Sequence, residues 1–167
     1  MMRSTTENEL VVLVDTHGAP IGTMDKMKAH MEGTLHKAFS VFVLNSDGHF
    51  LLQKRAATKY HSGGLWSNTC CSHPRPHETA MESAHRRLAE EMGLACDLSH
   101  SFSFIYRAEL DNGLIEYEHD CVFVGYSDMM PTLNPVEASD WRYASADKIL
   151  HEMKTIPEAF SAWFLLC

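Results

Sequence analysis

Five side chains in this sequence are of the types that hold a divalent cation: His30 and His36 in AHMEGTLHKAFS, His73 in CCSHP, and Glu116 and Glu118 in IEYEHD. Glu116 and Glu118 stand two apart in a segment that reads as a strand, so their carboxylates share one face. Two carboxylates side by side repel unless a cation lies between them. Three imidazoles and two carboxylates suit an octahedral Mg²⁺ or Mn²⁺ and would also accept Zn²⁺. Any one of these histidines alone reads better as a surface or core residue; the case rests on the set. His119 points to the opposite face of the strand and is left out. His17, His49, His61, His77, His85, His100 and His151 receive no functional reading.

A second group lies in residues 72–94, SHPRPHETAMESAHRRLAEEMGL. Glu78, Arg86, Leu88, Glu90, Glu91, Gly93 and Leu94 match the spacing of the Nudix box, in which a loop leads into a helix with carboxylates near its C-terminal end. Hard cations bind such carboxylates and bridge them to substrate phosphates. Two positions depart from the box: Ser72 stands where glycine is usual, and Arg87 where a metal-binding glutamate is usual. Losing that carboxylate weakens the case for diphosphate hydrolysis. The guanidinium that replaces it is a donor for a diphosphate. A charged helix face is as readily a solvated one, and it is the seven matches at fixed spacing that favour function.

The elements that must position these groups form one small core. A chain of 167 residues is the size of one domain, and 45% hydrophobic with 22% charged residues is an ordinary globular balance. The net charge of −8 argues against nucleic-acid binding, which leaves a basic footprint. It also means that an anionic substrate needs a local cationic pocket. No apolar run reaches the roughly 18 residues of a membrane span, and MMRSTTENELVVLVD does not read as a signal peptide, so a cytoplasmic protein is expected. Five cysteines at scattered spacing are expected to be free thiols.

Residues 10–14 read as a strand and 24–31 as a short helix. Residues 38–44 and 49–54 read as strands around Asn45-Ser46-Asp47-Gly48, a strong hairpin signal. A loop spans 58–65 with Gly63-Gly64 as breaker. The clearest helix runs over 77–92, with Pro76 at its start, a core stripe of Met81, Ala84, Leu88 and Met92, and Gly93 as C-cap. Residues 102–109 and 115–125 read as strands about Asp111-Asn112-Gly113, and helices are expected near 145–153 and 157–165. The class is α+β, a mixed sheet packed against helices.

The stretches LHKAFSVFVLN, LLQKRA, LWSNTCCSHP, RRLAEEMG, FIYRAELDNGLIEYEHD and AFSAWF, spread from about residue 12 to 165, together resemble the type I isopentenyl diphosphate isomerase family. The resemblance implies a single Nudix-like catalytic domain over residues 1–167, with a mixed β-sheet core packed against helices. It implies interconversion of isopentenyl and dimethylallyl diphosphate. Cys71 matches the family's catalytic cysteine, Glu118 its catalytic glutamate, and Tyr106 a tyrosine that assists it. His30, His36, His73, Glu116 and Glu118 match its metal ligands, for Mn²⁺, Mg²⁺ or Zn²⁺. Glu91 matches the acid that holds a second Mg²⁺ against the substrate diphosphate. Lys26, Arg55, Lys59 and Arg87 match the basic residues that clasp the diphosphate, and Trp163 the tryptophan at the hydrocarbon end. No flavin is implied, the partner is a small-molecule diphosphate, neither nucleic acid nor membrane is expected, and the oligomeric state is left open, with a monomer one option. Gly63, where some members carry proline, and Ser72 are local departures that remove no side chain with a named role.

The chemistry suits these residue types. Moving an unactivated double bond requires protonating its terminal carbon and removing a proton on the other side, hence an acid and a base on opposite faces of the substrate. Cys71 and the Glu118/Tyr106 pair can supply them, while a strand would turn Cys70 away from Cys71. The π face of Trp163 can stabilise a tertiary carbocation without trapping it, and AFSAWFLL can exclude water. The alternative is a Nudix hydrolase cleaving a small diphosphate, sustained by Glu78, Glu90 and Glu91 and opposed by Arg87 and the Cys71/His73 pair. A structural zinc module would need Cys-x₂-Cys pairs that the sequence lacks.

Overall fold

The computed structural model describes residues 9–167; most of the stretch judged for a signal peptide lies outside them. The described chain folds as α+β. Its strands are β1 (Leu10–Val14), β2 (Pro20–Asp25), β3 (His36–Leu44), β4 (Phe50–Arg55), β5 (Trp66–Ser67), β6 (Cys70–Ser72), β7 (Leu98–Glu109), β8 (Ile115–Tyr126) and β9 (Ala138–Ala144). Its helices are α1 (Lys26–Glu32), α2 (Ala80–Met92), α3 (Ala146–Thr155) and α4 (Ala162–Leu166). Among the described residues, no helix is long and apolar enough to cross a membrane.

The hub of the sheet is β3. It runs parallel to β8 from His36↔Glu118 to Leu44↔Tyr126 and antiparallel to β6 through Phe39↔Ser72, Ser40↔Cys71 and Val41↔Cys70. The strands β6 and β8 therefore flank it on opposite edges. A strand paired on both edges and covered on both faces reads as an apolar run rather than an alternation, which explains AFSVFVL. On one face Phe39, Val41 and Val43 pack with Leu88 and Met92 of α2. On the other, Leu52 and Tyr106 pack with Ile149 of α3 and Trp163 and Phe164 of α4.

Several boundaries differ from the sequence reading, each for a local reason. The turn at 45–48 forms, with Asn45 Oδ1 accepting from the amides of Asp47 and His49 at 3.1 and 2.9 Å. The two strands share only Leu44↔Phe50, because β9 and β5 take the edges of β4. The long helix starts at Ala80, not 77. Thr79 is its cap, its Oγ1 accepting from the Glu82 amide at 3.1 Å while Glu82 Oε2 accepts from the Thr79 amide at 2.8 Å, a reciprocal box that fixes the first turn. Pro76 lies in the approach to it. Met24 and Asp25 end β2, and Asp25 caps α1. The segment 157–165 is not one helix: the Ser161 amide donates to Trp66 O at 2.9 Å, which leaves a 3₁₀ turn at Pro157–Ala159 and the short α4.

Candidate active site

The parallel register between β3 and β8 sets His36 beside Glu118. Glu116 lies two residues earlier on the same buried face of β8, His30 comes from the inner side of α1, and His73 follows β6 directly. One ligand atom from each of the five lies within 4.8 Å of all the others. Their hydrogen bonds show whether a cation fits. His30 Nδ1 is 2.7 Å from Lys26 O and His36 Nδ1 is 2.8 Å from Thr34 O. A carbonyl only accepts, so both rings carry their proton on Nδ1 and turn a bare Nε2 inward. Those lone pairs meet other acceptors: His30 Nε2 faces Glu116 Oε2 at 3.3 Å, and neither atom has a hydrogen-bond partner. His36 Nε2 lies 3.4 Å from Glu118 Oε1, and 3.3 Å from His73 Nε2, which is itself hydrogen-bonded to that oxygen at 2.9 Å. Imidazole and carboxylate ligand atoms converging on one point suit a divalent cation, and ring N–H groups anchored on backbone carbonyls are the outer support that metal-binding histidines use.

The electrostatics agree. Burial, then the charge of Glu118, push Glu116 up to about 8. Burial works the same way on Glu118, but its close contacts with Glu116, His36 and His73 outweigh it and hold it well below the usual carboxylate range. Burial pushes His73 down to about 4 in spite of Glu118.

A cavity of about 940 Å³ adjoins the cluster and is lined by Cys71, Tyr106, Glu118 and Trp163 as well as Lys26, Arg55, Lys59 and Arg87. Alternation along β6 buries Cys70 in the core against α2 and turns Cys71 to the cavity side. Burial pushes the Cys71 thiol well up, with Arg55 opposing and the charges of Glu91 and Glu118 adding, so it carries its proton. The Tyr106 hydroxyl donates to Glu118 Oε2 at 2.7 Å. Trp163 Nε1 donates to Ser67 Oγ at 2.9 Å, and the Arg55 guanidinium stacks on its ring at 5.0 Å.

A family model for the NUDIX domain matches residues 34–164. An isopentenyl-diphosphate Delta-isomerase of Pectobacterium atrosepticum is 54% identical over 93% of this chain and 87% of its own length. This chain belongs to the isopentenyl-diphosphate Delta-isomerase family. A second member, the isopentenyl-diphosphate Delta-isomerase 2 of Aromatoleum aromaticum, is 51% identical over 94% of this chain and 83% of its own. The fold matches the crystal structure of a Deinococcus radiodurans protein with a TM-score of 0.79 at 18% identity, covering 94% of this chain and 95% of that one.

In this member of the isomerase family, three of the four expected diphosphate-clasping residues already hold carboxylates. Lys26 pairs with Glu9. Lys59 meets Glu137 at 2.6 Å. Arg87 meets Glu91 at 2.6 Å, Glu90 at 2.7 Å and Glu137 at 3.2 Å. Arg55 instead donates to His61 O at 3.2 Å and leaves its Nε without a partner. Glu91 is buried and also accepts from Gln53 Nε2 at 2.9 Å. Sequence reasoning missed two residues here. Glu137 ties Lys59 to Arg87, and its only signal is its place after the turn at Asn134-Pro135. His61, set aside as one histidine among many, is buried with Nε2 3.2 Å from Glu116 Oε1, and no periodicity in the loop marks it.

Proposed function

We propose that the protein interconverts isopentenyl diphosphate and dimethylallyl diphosphate. The observation that carries this is the pair of proton-bearing groups in one cavity: the protonated Cys71 thiol on β6, and the Tyr106–Glu118 hydrogen bond beyond β3 on β7 and β8. A proton is delivered to the terminal carbon of the alkene and another is withdrawn from the carbon next to the CH₂–O group. The double bond moves and no electrons are gained or lost. Donor and acceptor act on opposite faces of the substrate, as such a transfer requires. Trp163 lies at the hydrocarbon end and offers its π face to the tertiary cation.

Lys26, Arg55, Lys59 and Arg87 bind the diphosphate, exchanging Glu9 and Glu137 for phosphate oxygens. His30, His36, His73, Glu116 and Glu118 hold a divalent cation, Mg²⁺, Mn²⁺ or Zn²⁺, whose bound charge fixes Glu118 and lowers the proton affinity of its carboxylate. Glu91 holds a second Mg²⁺ with the substrate diphosphate.

Incubation with Mg²⁺ and isopentenyl diphosphate in D₂O, followed by NMR, tests the reading. Deuterium is expected in the methyl groups of dimethylallyl diphosphate, and Cys71→Ala is expected to abolish it. Free phosphate without isotope uptake would instead identify a diphosphate hydrolase and leave Cys71 as a structural thiol.

A further inference from the structure

The loop between β4 and β5 uses backbone strain and polar contacts to place one side chain, His61. Ser62, the next residue, sits in the left-handed region with φ of 52°, an uncommon conformation for a residue other than glycine. The loop is pinned there. The Ser62 amide donates to Asp111 Oδ1 at 3.1 Å, and Arg55 donates through its side chain to His61 O at 3.2 Å. The Gly64 amide donates to Arg55 O at 3.0 Å. A Cβ on Gly63 would stand 2.6 Å from Ala57 O, so the chain passes too close to its neighbour for any other residue. The result is an imidazole only 3% exposed.

Both ring nitrogens of His61 are engaged. Nδ1 faces Ser62 Oγ at 3.2 Å, a hydroxyl that can donate. Nε2 faces Glu116 Oε1 at 3.2 Å, an oxygen of a carboxylate that only accepts when ionised. With the Ser62 hydroxyl donating to Nδ1, the His61 proton lies on Nε2, 3.2 Å from an oxygen that accepts once a cation holds Glu116 ionised. The other oxygen of Glu116, Oε2, is the one turned to His30 and left without a hydrogen bond. The ring stacks on His30 at 5.9 Å and 28° and stands edge-on to Trp163 at 5.6 Å and 85°, so it cannot rotate without disturbing both.

We propose that His61 is the positioning residue for Glu116: its Nε2–H holds Oε1 and thereby commits Oε2 to the cation. It lies outside the five-residue ligand set and acts through Glu116. Removing such an outer hydrogen bond weakens metal affinity by about 10- to 100-fold in comparable sites. The inference rests on reading the five-residue cluster as a cation site.

The test is Mn²⁺ binding to the metal-stripped full chain, with free Mn²⁺ followed by EPR, in the wild type, His61→Phe and His61→Gln. Phe keeps a ring against Trp163 and removes the donor; Gln sets an N–H near the position of Nε2. Expected is a Kd for His61→Phe raised at least about 10-fold, with His61→Gln recovering most of that loss. Melting of the three metal-free proteins reports any loss of fold separately. Wild-type affinity in His61→Phe, or a His61→Gln as weak as the Phe variant, would overturn the role of His61 while leaving the cation site standing. A wild-type protein that binds no Mn²⁺ would overturn the site itself, and the proposal with it.

Discussion

Glu118 divides its two oxygens between two tasks. Oε1 lies 2.9 Å from His73 Nε2 and 3.4 Å from His36 Nε2, while Oε2 accepts from Tyr106 at 2.7 Å. In the proposed reaction Oε1 is committed to the cluster and Oε2 is the oxygen left for a proton on its way to or from substrate; it is the oxygen that the Tyr106 hydroxyl faces. Burial and the neighbouring Glu118 charge push Tyr106 well above its ordinary range, so it remains a donor throughout the working pH range. Tyr106→Phe keeps the ring packed against Phe104 and removes only the hydroxyl. The expected outcome is a fall in kcat of about 10²-fold, the low end for a positioned proton-transfer group, with little change in KM. Steady-state kinetics on isopentenyl diphosphate check it, and an equal rise in KM with kcat intact would assign the hydroxyl to binding instead. At this scale the sequence was legible where a motif named a residue type at a fixed distance, as in Glu116-x-Glu118 or Cys71-x-His73. It was not legible where a side chain reaches the site by loop geometry, as His61 does, or through an ion pair formed across the fold, as Glu137 does.

At the scale of elements, strong local signals located the long helix, the β7–β8 pair and the turn at 45–48. The misses are elements whose existence depends on a distant partner. The strand β9, ASDWRYA, is polar and half-exposed and is held by its ladder to β4. β2 is similarly exposed and is held by β1. The start of α2 was placed too early because Pro76 is a weaker signal than the Thr79–Glu82 box that begins the helix. The approach to that box has its own clasp, Glu78, which takes Arg86 Nε at 2.7 Å and Nη2 at 2.8 Å. The Arg86 hydrogen bonds are the largest cause lowering Glu78 to about 2 from 4.5. A depressed carboxylate pKa contributes stability above the unfolded value and loses it as pH falls through the folded one. Glu78→Gln is therefore expected to melt below the wild type at pH 7, by up to about 1 kcal/mol for a pair this near the surface. The gap should close as pH falls from about 4.5 towards about 2. Thermal melts across that range measure it, and a gap that stays constant with pH would show that Glu78 acts by packing and not by charge.

Across the whole molecule, the five side chains that could hold a cation come from α1, β3, the end of β6 and β8. Sequence separations as large as that between His30 and Glu118 are therefore closed at a single point. Without a cation that point is a liability: two carboxylates and three imidazoles, His30 Nε2 and Glu116 Oε2 among them unpartnered, sit buried where unpaired polar groups are costly. A cation that binds the folded chain and not the unfolded one stabilises it by mass action, about 2.7 kcal/mol at a hundredfold excess over Kd. For a domain of this size, each kcal/mol moves Tm by a few degrees, roughly 2–4 °C. Chelation of the holoprotein is thus expected to lower Tm by several degrees, and readdition of Mn²⁺ should restore it. The ligands must be deprotonated to bind, so the increment should shrink as the solution is acidified and the imidazoles compete for protons. Glu118→Gln is the matched control. It neutralises the one carboxylate that His36 and His73 both face, so the increment should be largely lost while the metal-free variant still folds. If chelation left the Tm of the wild type unchanged, the cluster would be held together by protons shared among its own side chains, and the stability of the sheet would not depend on a metal.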